Sequence, residues 1–175
     1  MFAACATMTL TGCGQQAPVL KTEYQMGERV PVGTLTYNVI ETAWRSQLGS
    51  DYKIRVPQQR FLLITISCTN GGGKEVSVPL LTLENESGQS YRELDDIESV
   101  DNPFGIFRNI GPAQTQQGRL LFDVPLSAYR LRLTDGGEPA NEKYAWVKID
   151  LHMDQDLSVD TPTPVAPTPM PPPKK

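Results

Sequence analysis

Cysteine and histidine offer the most reactive side chains in this chain, and both are scarce. The 175-residue sequence contains Cys5, Cys13 and Cys68, and its one histidine is His152. No cysteine pair has the C-x-x-C spacing of a metal ligand set, so a Cys/His zinc site is not expected. A serine nucleophile needs a positioned base, and no G-x-S-x-G motif accompanies His152 at the end of the last predicted strand. The sequence therefore predicts a protein with no catalytic activity and no cofactor.

Cys68 lies in the segment RFLLITISCTN, on the same alternating face as Ile64 and Ile66. A cysteine among aliphatic side chains behaves as a small buried hydrophobe, whereas a reactive thiol needs positive neighbours and partial exposure. We therefore expect Cys68 to lie in the core.

Four carboxylates in the segment 95–117 form a second group that is capable of chemistry: Asp95, Asp96, Glu98 and Asp101. Calcium takes about six to eight oxygen ligands, often from flexible acidic loops, so these residues are a weak candidate calcium site. Their spacing does not match the EF-hand pattern, and a solvated acidic loop is the alternative that we favour. No metal is expected.

Three large apolar residues follow the acidic group, namely Phe104, Ile106 and Phe107. Their segment is longer than most connections in compact domains, and binding residues concentrate in loops that a rigid scaffold holds. We take the three as a candidate partner-binding loop. The alternative, which we favour, is that they fold back and cap one end of the domain.

The N-terminal residues 2–12, FAACATMTLTG, are uncharged and either apolar or small. The stretch is too short for a membrane span, which needs about 20 residues, and has the length of a signal-peptide apolar region. The tetrapeptide LTGC at 10–13 resembles the lipobox of bacterial lipoproteins. The resemblance implies cleavage between Gly12 and Cys13, acylation of Cys13, and membrane lipid as a partner. The alternative is a frayed N-terminus with a stray cysteine.

The remaining composition limits the other classes of partner. The net charge is −4, and the basic residues are scattered, so no nucleic-acid partner is expected. The C-terminal stretch TPTPVAPTPMPPPKK cannot form a helix or an inner strand. We divide the chain into a signal peptide (1–12), a lipidated cysteine with a linker (13–27), a folded domain (28–152) and a disordered Pro-rich tail (153–175).

Alternation with a period of two runs through the folded part. Leu35, Tyr37 and Val39 share one face of TLTYNVIE, and similar alternation recurs in RFLLITISCTN, EVSVPLLTLEN, GRLLFDVP, YRLRLTDG and AWVKIDL. The turn signals NGGGK, ENESGQ and TDGGEP separate these segments. The pattern predicts an all-β fold, an antiparallel β-sandwich of about seven strands.

The order of these segments resembles the DUF4352 family of secreted and lipid-anchored bacterial proteins. The resemblance runs from TLTYNV through FLLITISCTN and LTLENESGQSY to IGPAQTQQGRLLFDVP, and is strongest in the G-x-L-x-F-D-V-P strand at 118–125. It implies an immunoglobulin-like sandwich related to the fold of a mycobacterial immunoprotective extracellular protein. The family has no established enzymatic activity, so the resemblance supplies no catalytic residues.

Together these features predict a lipid-anchored, extracytoplasmic binding or interaction module without catalytic activity, at the outer membrane or cell surface. Its loops would face an unknown protein or envelope partner. The main alternative is a structural or assembly accessory lipoprotein of the envelope that acts through its tails. A calcium-dependent adhesion module and a secreted enzyme are further alternatives.

Overall fold

The structure, a computed structural model, describes residues 22–49, 53–138 and 140–152. Eleven β-strands occur in these residues: β1 (Glu23–Tyr24), β2 (Arg29–Val32), β3 (Leu35–Arg45), β4 (Arg60–Asn70), β5 (Val76–Ser77), β6 (Thr82–Asn85), β7 (Ser90–Arg92), β8 (Asn109–Ile110), β9 (Thr115–Val124), β10 (Tyr129–Thr134) and β11 (Tyr144–Ile149). Seven of them (β2, β3, β4, β6, β9, β10 and β11) contain four or more residues, which confirms the predicted all-β fold. The described residues include no helix that is long and apolar enough to cross a membrane.

The strands form two main sheets and one small one. The five-stranded sheet has the order β1-β11-β10-β6-β7, the four-stranded sheet has the order β2-β3-β4-β9, and β5 pairs with β8. Every pairing is antiparallel except that of β1 with β11. The sandwich begins before residue 28, because β1 lies inside the segment predicted as a linker. Two residues are too few to show an alternating pattern.

The core lies between the inward faces of the two main sheets, as the alternation predicts. Leu35, Tyr37 and Val39 are all buried, and Cys68 is fully buried among them, which confirms its predicted place in the core. Burial raises the pKa of the Cys68 thiol to about 12. The Tyr37 hydroxyl donates a hydrogen bond to the Thr134 carbonyl at 2.6 Å, which ties β3 to β10 across the core.

A β-bulge in β3 changes which side chains face the core. The register with β4 shifts between Val39 and Glu41, so that Ile40 and Glu41 both lie on the solvent side. Beyond the bulge Trp44 packs in the core, while Ala43 packs on the outward face of the sheet. An extra residue in one strand reverses the alternation in this way.

The turn from β9 to β10 is fixed by a side chain that returns to the backbone. The Tyr129 hydroxyl donates to the Pro125 carbonyl at 2.6 Å, an arrangement similar to the tyrosine corner of immunoglobulin-like domains. The Tyr129 ring packs edge-on against Tyr91 at 5.7 Å. Burial, followed by the neighbouring Tyr91, raises the pKa of Tyr129 to about 12.

A second apolar cluster covers part of the outward face of the four-stranded sheet. Phe61, Leu63 and Leu121 project there from β4 and β9, and Leu48 and Val100 pack on them from the two long connections. The central strand β4 is therefore buried on both faces over half its length. Alternation in RFLLITISCTN does not distinguish this arrangement from a strand with one exposed face.

Candidate functional site

The connection between β7 and β8, residues 93–108, contains the predicted partner-binding loop and crosses the side of the sandwich. The Leu94 amide donates to the Leu121 carbonyl at 2.8 Å. Further along, the Arg119 amide donates to the Asn102 carbonyl, and the Phe104 amide donates to the Arg119 carbonyl, both at 2.9 Å. The segment is thus hydrogen-bonded to β9, the edge strand of the four-stranded sheet.

Close packing at Gly118 explains why the segment can approach β9. A Cβ atom at Gly118 would lie 2.5 Å from the Cα atom of Phe104 and 2.6 Å from its amide nitrogen. Real Cβ atoms do not approach backbone that closely, so this position requires glycine for steric reasons.

A buried ion pair holds the two ends of the segment together. Glu93 and Arg108 are each 1% exposed in their side chains, and the guanidinium Nη2 donates to the Glu93 carboxylate. The second carboxylate oxygen of Glu93 accepts from the Leu81 amide at 3.1 Å. Burial raises the pKa of the Glu93 carboxyl, while the Arg108 guanidinium and the Leu81 amide oppose that rise.

Arg108 also satisfies its other donors. Its Nε donates to the Gly105 carbonyl, and its Nη1 donates to the Pro79 carbonyl at 3.1 Å. The guanidinium carbon lies 5.0 Å from the centre of the Phe104 ring, within cation–π range. Arg108 therefore links the loop to the chain before β6 and fixes the ring of Phe104.

The structure separates the three residues of the predicted partner-binding loop. Phe104 is fully buried in the core, so its assignment to an exposed binding loop is wrong. Ile106 is 44% exposed and Phe107 is 91% exposed. Gly105, with a φ of +86°, turns the chain outward between Phe104 and Ile106. We refer to Ile106 and Phe107 as the exposed tip.

The four carboxylates of the weak candidate calcium site lie on the surface but do not converge. Asp95, Asp96, Glu98 and Asp101 are all exposed. Asp96 contacts Arg55, with Oδ2 lying 3.4 Å from Nη1. Within the described part of the chain, no three His, Cys, Asp or Glu side chains group as metal ligands. The calcium alternative gains no support from this geometry.

The other predicted residues are placed as follows. Gly12 and Cys13, with the signal peptide and the Pro-rich tail, lie outside the described residues. His152 is exposed beyond the end of β11, and its Nδ1 lies 3.3 Å from the Asp150 carbonyl oxygen. The described surroundings of His152 do not contain the elements of a nucleophilic site.

Sequence reasoning missed the Glu93–Arg108 pair. Each residue lies in a stretch without regular alternation, where a charged side chain is normally solvated. The one available signal in the sequence is that each charged residue has apolar neighbours, in SYRELDD and FGIFRNI. That signal is common in surface loops and does not identify partners 15 residues apart.

Comparison with known proteins places the chain in a family and a fold. The model of the DUF4352 family, a domain of unknown function, matches residues 24–153. No curated protein matches the sequence.

Solved structures share the fold at low sequence identity. The yjhA protein from Bacillus subtilis superposes with a TM-score of 0.57 and 18% identity, over 73% of this chain and 99% of that one. The ycdA protein of the same species, assigned as a lipoprotein, gives 0.55 and 18% over 75% of this chain and 41% of its own. MPT63, a secreted protein from Mycobacterium tuberculosis, superposes with a TM-score of 0.50 and 14% identity, over 74% of this chain and 98% of that one.

The structure gives a physical role to the G-x-L-x-F-D-V-P strand at 118–125. Gly118 admits the backbone of Phe104, and alternate side chains of the strand fill the core. Asp123 accepts from the amides of Gln58 and Gln59 at 2.7 and 2.8 Å, and the Pro125 carbonyl accepts from Tyr129. The motif thus encodes packing and turn geometry. The match of the family model over residues 24–153 shows that this chain belongs to the DUF4352 family.

Proposed function

We propose that this protein is a lipid-anchored, extracytoplasmic binding module that contacts a protein or envelope partner through the exposed tip. The lipobox-like LTGC at 10–13 supports the anchor. Structures of the same fold include one protein assigned as a lipoprotein and one described as secreted, which supports the compartment.

The observation that carries the proposal is the contrast within four residues of one loop. Phe107 is 91% exposed, although Phe104 and Arg108 on either side are buried. An aromatic ring held in water by a rigid support contributes no packing to the monomer, and aromatic residues are enriched at the centres of protein interfaces. The loop is therefore preorganised, so binding would cost little conformational entropy.

The test of the tip is site-specific crosslinking in cells that naturally produce the protein. A photo-crosslinking phenylalanine analogue at position 107 is expected to yield a discrete adduct with one partner. The same analogue at Tyr144, which is 50% exposed on the five-stranded sheet, serves as the matched control. The adduct should disappear when unlabelled wild-type protein competes and should persist when a Phe107→Ser competitor is used. Equal adducts from both positions, or adducts that depend on residues 153–175 instead, would overturn the proposal.

The anchor is tested separately by mass spectrometry of the mature protein and by detergent phase partitioning. The expected result is a mature chain that begins at an acylated Cys13 and enters the detergent phase, since two acyl chains give stable membrane binding. Cys13→Ser is expected to keep the leader and to lose the lipid mass. A wild-type protein that stays in the aqueous phase without added mass at Cys13 contradicts this part of the proposal.

A further inference from the structure

A cavity of about 420 Å³ opens on the outward face of the four-stranded sheet, and neither residue of the exposed tip lines it. Its base is formed by β3, β4 and β9, and its rim is formed by residues 99–101 of the segment 93–108. Ligand sites in proteins commonly occupy volumes of about 300–1,000 Å³. The cavity therefore has room for a small molecule.

Three side chains form a row across the base of the cavity. Strand register places Glu41 opposite Thr65, and Thr65 opposite Arg119. The Thr65 hydroxyl donates to Glu41 Oε1 at 3.1 Å. The distance from Arg119 Nη2 to the same oxygen is 3.7 Å, which is an ion pair but too long for a hydrogen bond. Within the described residues the guanidinium of Arg119 makes no closer ion pair. Its N–H groups can therefore donate hydrogen bonds to the carboxylate of a ligand.

The backbone fixes the positions from which both charged side chains project. The bulge in β3 turns Glu41 to the outward face of the sheet. Without the bulge, alternation after Val39 would place Glu41 on the core face. Arg119 pairs with Thr65 of β4 on one side and is hydrogen-bonded to Asn102 and Phe104 on the other. The side chains of Arg119 and Glu41 are 38% and 60% exposed, so a ligand can reach both charged groups while the strands that carry them stay in place.

Among the described residues that line the cavity, positive and negative charges are equal in number. Arg45 and Arg119 contribute two positive charges, and Glu41 and Asp101 contribute two negative ones. A simple anion would meet the carboxylates, and a simple cation would meet the guanidinium groups. A ligand with a carboxylate and an ammonium group attached to the same carbon atom satisfies both, since arginine binds carboxylates through two parallel hydrogen bonds.

From this arrangement we infer that the cavity binds a small zwitterion with the chemistry of a free α-amino acid. Arg119 receives the carboxylate, Glu41 receives the ammonium group, and Ser99 lies at the rim within the same cavity. The site is independent of the exposed tip, so failure of either proposal leaves the other in place.

Isothermal titration calorimetry on the full-length chain in detergent micelles tests the inference with three probes. L-alanine keeps both charges, N-acetyl-L-alanine lacks the ammonium group, and L-alaninamide lacks the carboxylate. Alanine is expected to bind saturably, and each blocked derivative is expected to bind at least about tenfold more weakly. No saturable heat with alanine up to about 10 mM, or equal binding of the three probes, would overturn the inference.

Two variants assign each charge to its residue. Arg119→Gln should lower the affinity for L-alanine at least about tenfold and leave the residual affinity for L-alaninamide unchanged. Glu41→Gln should also lower the affinity for L-alanine at least about tenfold, and it should leave the residual affinity for N-acetyl-L-alanine unchanged. Arg130→Gln, on the outward face of the five-stranded sheet, is the control and should leave binding unchanged. Unchanged melting temperatures show that each variant is folded. If Arg119→Gln and Glu41→Gln leave alanine binding intact, the site lies elsewhere and the assignment is wrong.

Discussion

Two arginine–glutamate pairs, which lie in different regions of this molecule, have opposite consequences for the pKa of the glutamate. At the side of the sandwich, Glu93 and Arg108 are each 1% exposed, and Arg108 lies over the Phe104 ring. On the outward face of the five-stranded sheet, Arg132 and Glu142 are 29% and 21% exposed, and Arg132 lies 4.5 Å from the centre of the Tyr144 ring. The chemical groups are the same, yet the pKa of Glu93 is raised and that of Glu142 is lowered.

The difference arises from desolvation. At Glu93 the loss of water outweighs the attraction of Arg108, whereas at Glu142 the hydrogen bonds from Arg132 and Thr134 outweigh a small desolvation. A buried pair therefore adds little net stability but makes each partner depend on the other. Such a pair positions the segment 93–108, and the surface pair mainly orders side chains.

Breaking the buried pair from one side should have the largest effect. Glu93→Gln leaves the Arg108 charge without a counter-charge in a dry environment, and we expect a loss of about 3–5 kcal/mol in the free energy of unfolding. Urea denaturation measures it. The matched control Glu142→Gln should cost less than about 1 kcal/mol. The double variant Glu93→Leu/Arg108→Met should be less destabilised than Glu93→Gln, and a greater loss in the double variant would contradict our account of the pair.

The two phenylalanines of the segment sharpen the comparison of buried and exposed groups. Phe104→Ala removes a fully buried ring and should cost about 3–5 kcal/mol. Phe107→Ala removes a ring that packs on little of the protein and should change stability by less than about 0.5 kcal/mol. Thermal and urea denaturation of the two variants side by side provide the measurement. Similar losses for both would mean that Phe107 folds back onto the domain.

Gly118→Ala tests the contact that places the segment beside β9. The new methyl group would overlap the backbone of Phe104, so we expect a loss of about 1–3 kcal/mol. Hydrogen exchange should show faster exchange at the Phe104 and Arg119 amides, which lose their partners when the segment moves. Gly73→Ala, where an added Cβ meets nothing within 4 Å, is the control. Unchanged protection of both amides would contradict the steric argument.

The smallest expected effect is a pH dependence from the surface pair. The pKa of Glu142 is lowered below its ordinary value of 4.5, so its ionised form is favoured by folding. The stability that it contributes is complete above that ordinary pKa and is lost as the pH falls through the lowered one. Glu142→Gln should therefore lose less stability than wild type between about pH 5 and pH 3, by under about 1 kcal/mol. If urea denaturation gives the same pH dependence of stability for wild type and Glu142→Gln, the Arg132–Glu142 pair does not contribute to stability.

The elements with clean alternation could be predicted from the sequence. Leu35, Tyr37 and Val39 form the core face of β3, and Cys68 is buried as its aliphatic neighbours suggested. The glycines of the three turn signals all lie between strands. These features depend on local periodicity and turn chemistry, which the sequence displays directly.

The rest depends on contacts between distant parts of the chain. The reversal of alternation at Ile40 and Glu41 is visible only as an odd spacing between Val39 and Trp44. Phe104 and Phe107 have similar surroundings in sequence, and only the turn at Gly105 and the partner Arg108 send one inward and the other outward. The burial of Glu93 has no local signal, because it results from tertiary packing of the whole segment.

Both edges of the four-stranded sheet carry devices that obstruct pairing with another chain. On β9 the backbone of Asn102–Phe104 occupies hydrogen-bonding groups of Arg119. On β2, at the opposite edge, Pro31 lies in the middle of a four-residue strand and has no amide to donate. Open strand edges promote aggregation, because their unpaired backbone groups can bind a strand of another chain. The two obstructed edges would therefore keep copies of this chain from joining sheet to sheet.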